Sequence, residues 1–216
     1  MNQKTAVSKI NKSGILLVFP INNKKEPASL WSEFFPKSKM QWSWNEDSDH
    51  RVGDLWQLMK KLSDCQQVVY SKWYQNRATF FSRQLFTALL SIMQKKQLPT
   101  LRLSKSAKNI LELLESDSPL STKVIKKLVE LQGKDNQATY NRAMKELFSN
   151  LLIVAYGEVD DGAFPSLAIG CTKVLYEDLW TEANEMNLTV AEAIQAKFIA
   201  RDSLFKKQLD KNQKII

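Results

Sequence analysis

Apolar residues along this chain change their spacing several times, and each change predicts an element. An unbroken dry run in "GILLVFP", Ile15 to Pro20, reads as a buried strand, and "SLWSEFF" follows as a short helix closed by Pro36. Helical spacing returns in "DHRVGDLWQLMKKL", with Val52, Leu55, Trp56, Met59 and Leu62 as the apolar positions. "QVVYSKWYQNRATFF" alternates β-formers on either side of Gln75-Asn76, which predicts a hairpin. Ser82 then caps a helix carrying Leu85, Phe86, Leu89, Leu90 and Met93. The segment "LPTLRLSKSA" around Pro99 sets a boundary between an α+β region, residues 1–103, and a new start at 104.

Past that boundary the pattern tightens. Ala107, Ile110, Leu111 and Leu114 recur at helical spacing and predict a first helix. "SPLSTKVIKKLVEL" predicts a second, with Ser121 as N-cap and Leu120 packing on Ile125 as a hydrophobic staple. Gly133 ends it, and Asp135 can cap a third helix. In the third, Tyr140, Met144, Leu147 and Leu151 line one face, and Asn141, Arg142, Lys145 and Ser149 line the other. The chain extends through "LLIVAY", turns at Asp160-Asp161-Gly162 and returns through "FPSLAIG". Three helices followed by a hairpin is the winged helix-turn-helix order, expected here for residues 104–172. Residues 173–216 read as two C-terminal helices, the second opened by a capping box of Thr189 with Glu192, and a charged tail, "KKQLDKNQKII", that looks frayed. No internal repeat is visible. The fold class expected is α+β.

With 216 residues and 44% hydrophobic content the chain can bury a sizeable core. The dry runs are strand-sized, so no membrane span is expected. The basic N-terminus lacks a signal-peptide pattern, and a cytoplasmic protein is the expectation. Cys65 and Cys171 show no metal-ligand spacing, and no metal or other cofactor is predicted. The net charge of +8 is uneven: residues 1–103 hold 16 Lys/Arg against 7 Asp/Glu, residues 104–150 hold 8 against 6, and residues 151–216 hold 7 against 10. A basic half attracts nucleic acid, anionic lipid or acidic partners.

The run "LSKSAKNILELLESDSPLSTKVIKKLVELQGKDNQATYNRAMKELFSNLLIVAYGEVDDGAFPSLAIG", with "GILLVFP" and "VVYSKWYQNRATFF" upstream, resembles the winged-helix proteins related to the AlkZ-type alkylpurine DNA glycosylases. The resemblance spans most of residues 14–180 and implies winged-helix units associated with DNA, in a family whose best-known members excise alkylated or crosslinked bases. Those enzymes carry a Gln-x-Gln or Gln-x-Asp pair near their N-terminus, which this chain lacks there. A text match, Gln208-Leu209-Asp210, falls in the charged tail, where no pocket is expected. Base excision needs polar groups in a closed pocket, so the resemblance supports DNA association more than glycosylase chemistry.

Duplex DNA is therefore the first candidate partner, with a glycosylase of substituted catalytic residues and a protein-interaction module as the alternatives. The third helix carries the leading contacts: Asn141 and Arg142 for base edges and Lys145 for phosphate, with Asn136 near its start and Lys123 and Lys126 on the helix before. The same residues can equally form a plain solvated face. Glu158, Asp160 and Asp161 place carboxylates at the hairpin tip, which disfavours a wing that grips phosphate. In "YSKWYQNRATFF", Lys72 and Arg77 interleave with Tyr70, Trp73, Tyr74 and Phe80, a mix that can stack bases and neutralise phosphates. Ordinary strand alternation favours the rings facing a core instead. Glu46, Asp47, Asp49, Asp54 and His50 precede or open a helix, where the macrodipole accounts for carboxylates without a metal or acid-base site.

Overall fold

The structure, a computed structural model, describes residues 1–41, 49–98, 101–159 and 166–213. Helix α1 (Gln3–Ser13) is capped by Asn2, which accepts from the Thr5 N–H, and it ends at Gly14, whose φ of +77° suits glycine. Strand β1 (Ile15–Leu17) is wholly buried, and Ser29 caps the short α2 (Leu30–Phe34). Asp49 caps α3 (His50–Asp64), accepting from the Arg51 N–H at 3.2 Å and from the Arg51 guanidinium at 2.7 Å. That side-chain hydrogen bond holds the Asp49 carboxyl below its ordinary value, and the guanidinium lies over the rings of Trp31 and Phe35. The capping role expected of the acidic cluster is thus met at Asp49; Glu46 and Asp47 lie outside the described residues. Strands β2 (Val68–Tyr74) and β3 (Arg77–Ser82) are joined by Gln75 and Asn76, both at positive φ as a two-residue hairpin turn requires. The antiparallel sheet runs β1-β3-β2, and Ser82 starts α4 (Arg83–Ile92), which continues in π-type winding over Met93–Gln97.

The second half repeats this order. Helix α5 (Lys105–Ser116), strand β4 (Leu120–Ser121), helices α6 (Thr122–Leu128) and α7 (Gln137–Ser149), and strands β5 (Ile153–Val159) and β6 (Ser166–Cys171) form a sheet in the order β4-β6-β5. Helix, strand, helix, helix, strand, strand therefore occurs twice, although no repeat is visible in the sequence: burial requires apolar character at each position, not the same residue. Ser121 caps α6 as expected. Asp135 does not cap α7; Asn136 stands at the start, and its side chain donates to the Gln132 carbonyl rather than capping. The turn assigned to Asp160-Asp161-Gly162 lies outside the described residues.

One hydrophobic core runs from Ala6 to Leu209 through both sheets. The outer strands β2 and β5 of the two sheets pack against each other, α3 packs on β5, and α7 packs on β2. At this junction Gly157 has φ +74°, and a Cβ there would come within 2.4 Å of an Asp64 carboxylate oxygen. Trp56 departs from its expected core position: it is 42% exposed, one residue off the stripe of Leu55, Leu58, Met59 and Leu62 that is buried.

The C-terminal region is more broken than the sequence suggests. Tyr176 and Ile199 interrupt it, giving α8 (Thr172–Leu175), α9 (Glu177–Glu185), α10 (Leu188–Phe198) and α11 (Leu204–Gln213). Helices α9 and α10 pack on α4, where the Lys95 ammonium donates to the carbonyls of Ala183, Asn184 and Met186 and so closes the end of α9. The capping box is not formed: Asn187 caps α10, and Glu192 pairs with Lys96. The described part of the tail is not frayed, because α11 buries Phe205, Gln208, Leu209 and Asn212, and the Phe205 ring meets Tyr74 edge-on at 5.4 Å. Among the described residues no helix is long and apolar enough to cross a membrane.

Two stability measurements check this packing. Phe205→Ala is expected to cost about 3 kcal/mol in urea denaturation, as a buried ring does, whereas a loose tail would give no change. Gly157→Ala is expected to cost about 1 kcal/mol or more from its positive φ and the Asp64 contact, and adding Asp64→Ala should restore part of that loss.

Candidate nucleic-acid interface

Helix α7 forms because Tyr140, Ala143, Met144, Leu147 and Phe148 recur at helical spacing and are buried together. Glu146 ties it to α5, accepting from the Ser104 N–H at 3.0 Å and the Ser104 hydroxyl at 2.7 Å at the point where Ser104 caps that helix. The opposite face is left to solvent. Asn141, Arg142 and Lys145 are all exposed, and Arg142 and Lys145 make no hydrogen bond or ion pair among the described residues.

The start of this face is organised by a relay from α6. The Lys126 ammonium sits 4.7 Å from the Tyr140 ring centroid and donates to Gln137 Oε1 at 2.9 Å, and Gln137 Nε2 donates to Asn141 Oδ1 at 2.7 Å. The Asn141 amide is thereby oriented, and its NH2 group makes no hydrogen bond among the described residues. Burial pushes the Tyr140 hydroxyl up to about 12, so it stays neutral beneath the cation. Lys123 is exposed on α6, and Asn136 is half-buried, its amide turned to Gln132. Gln137, which orients Asn141, was not among the residues expected from sequence; its spacing of four from Asn141 was the available signal.

The basic aromatic hairpin does not offer a stacking surface. Tyr70, Trp73, Tyr74 and Phe80 are all buried, with Tyr70 stacked on Phe80 at 5.0 Å and Trp73 edge-on to Phe81 at 5.6 Å. Packing on both faces of the hairpin decides the matter: neighbours Trp73 and Tyr74, and Phe80 and Phe81, are buried together rather than alternating between core and solvent. Arg77 remains exposed at the turn. Lys72 is half-buried, and desolvation pulls its ammonium below its ordinary value. The acidic hairpin tip also changes character. Glu158 pairs with Lys60 of α3 at 2.7 Å, so it faces the first half of the molecule, while Asp160 and Asp161 lie outside the described residues. Among the described residues no group of His, Cys, Asp and Glu is placed to hold a metal ion.

A family model described as AlkZ related matches residues 1–208. The chain belongs to the AlkZ-related family. No curated protein and no solved structure gives a match. Membership makes this a protein related to DNA glycosylases, which directs attention to the one Gln-x-Asp in the chain. In this AlkZ-related protein Gln208 is 6% exposed and donates to Asn212 Oδ1 at 2.7 Å, and Asp210 is paired with Lys206. Leu209 and Asn212 line a cavity with Trp73, Met93 and Leu151, but its volume is about 20 Å³. That is room for about one water and not for a base. The match is built into the packing of α11.

The half-buried lysine gives a test with a defined sign. The folded state holds the Lys72 proton less tightly than the unfolded chain, so wild-type stability rises with pH toward the ordinary lysine value of about 10.4. Lys72→Met removes the desolvated charge. It is expected to be more stable than wild type at pH 7, with the gain shrinking by pH 10 in paired urea titrations; a loss at pH 7 would contradict the assignment.

Proposed function

We propose that this protein binds duplex DNA through winged-helix units, with α7 as the reading helix of the second. The twice-occurring order of helices and strands and the sheet orders β1-β3-β2 and β4-β6-β5 support the winged-helix assignment, with units at residues 3–82 and 105–171. The observation that carries the DNA reading is the solvent face of α7. Arg142 and Lys145 stand exposed and unpartnered among the described residues beside an Asn141 amide held in place by Gln137. In a helix-turn-helix frame Asn and Arg at these positions reach base edges, and Lys and the α6 lysines reach phosphates.

The charge balance agrees. Residues 1–103 are strongly basic, and the Lys60–Glu158 pair removes one carboxylate from the hairpin that would otherwise repel a phosphate backbone. The family relation to DNA glycosylases supports a role in DNA repair. Binding rather than base excision is the activity proposed, because Gln208 is buried against Asn212 while Asp210 is turned to an ion pair with Lys206 at the surface of α11.

The deciding experiment is fluorescence anisotropy of a labelled duplex with purified protein across a range of salt. Binding should weaken steeply with salt, and Arg142→Ala with Lys145→Ala should lower affinity and reduce the log–log salt slope by about 2. An unchanged affinity would remove α7 from the interface.

A further inference from the structure

The two halves correspond residue by residue in their third helices. Leu55, Leu58, Met59, Leu62 and Ser63 are the buried residues of α3, and Tyr140, Ala143, Met144, Leu147 and Phe148 are those of α7, each 85 positions after its counterpart. The same offset relates Gln66 (φ 53°) to Leu151 (φ 58°), the left-handed residue leading into the next strand, and the first residues of β2 and β5, Val68 and Ile153. Those two strand residues pair with Ser82 and Cys171, which each begin the following helix. Packing is reciprocal as well: α3 lies on β5 while α7 lies on β2.

The correspondence carries over to the outer faces. Asn141 maps to Trp56, Arg142 to Gln57 and Lys145 to Lys60. Trp56 and Gln57 are exposed, and Trp56 is a large indole 42% open to solvent with no ring contact among the described residues. Trp31 and Trp73, by contrast, are 1% and 2% exposed, so this chain does bury tryptophan where packing is the purpose. Lys60, the third counterpart, is turned to Glu158 and its charge is spent within the protein. The first face is therefore aromatic and, with exposed Asp54 and Lys61 offsetting each other beside Gln57, carries no net charge, where the second is polar and cationic.

We infer that Trp56 and Gln57 on α3 form a second DNA-contacting face, equivalent to Asn141 and Arg142 on α7 and reading the duplex by apolar and amide contacts rather than by charge. Indole carbon packs against thymine methyls and sugar edges, and a Gln amide matches the donor and acceptor edge of adenine. The surrounding half of the chain, with 16 Lys/Arg against 7 Asp/Glu, favours a polyanion over an acidic or neutral protein surface as the occupant. This inference rests on the DNA-binding reading of α7, and the two are separable because apolar contacts release no counterions.

The test is duplex binding by Trp56→Ala, Trp56→Phe and the Arg142→Ala, Lys145→Ala double variant at two or more salt concentrations, each first checked for an unchanged thermal midpoint. Trp56→Ala should bind roughly tenfold or more weakly, with the wild-type salt slope retained. Trp56→Phe should recover most of the affinity. Unchanged affinity in Trp56→Ala alongside a weakened α7 variant would overturn the inference while leaving the α7 reading intact, and would assign the indole to a protein partner. A reduced slope in Trp56→Ala would also overturn it, since the charged contacts would then have been disturbed. Absence of duplex binding by the wild-type protein at every salt would remove both readings together.

Discussion

The packing of β2 against β5 is the constraint on which the rest of the molecule depends. Each is the outer strand of a three-stranded sheet, and an outer strand exposes backbone groups and one unpaired row of side chains. The two pack against each other, and each also lies against the third helix of the opposite half. Gly157 lets β5 come close enough to α3 for this, since any side chain there would meet Asp64. Lys60 and Glu158 complete the junction with an ion pair that is largely screened from water at the carboxylate.

That arrangement decides what remains for function. With one side of α3 and α7 buried in their own halves and another on the opposite strand, the solvent face of each helix is narrow and its composition is exposed to view. On α7 the relay from Lys126 through Gln137 to Asn141 orders an amide before any ligand arrives, which lowers the entropy cost of contact. Arg142 and Lys145 stand exposed beside it. The C-terminal helices reinforce the frame: α9 and α10 clamp α4, and α11 closes over Tyr74 and Trp73 at the end of β2.

Much of the fold was legible where a local rule fully specifies the outcome. Ser82 and Ser121 cap helices through a side-chain oxygen three residues from the N–H it receives, and Gln75-Asn76 makes a tight turn between two strands. The candidate face of α7 was legible for the same reason, since helical spacing separates Asn141, Arg142 and Lys145 from Tyr140 and Met144. Local rules failed where two options compete. Trp56 is apolar and next to Leu55, yet Leu58 completes the stripe and the indole turns outward. Asp135 and Thr189 have cap chemistry, but Asn136 and Asn187 hold the positions. The polar tail reads as frayed because Gln208 and Asn212 satisfy each other in a way no composition reveals.

The sequence by itself determined most of the elements between Ile15 and Cys171, β4 excepted, with their order and the basic first half, because hydrogen bonding within four residues and apolar periodicity are local properties of the chain. Tertiary structure alone decided that the same order of elements occurs twice and that Glu158 answers Lys60 across the two halves. Those outcomes depend on which surfaces meet, and contacts between residues some hundred positions apart leave no periodic trace in either partner.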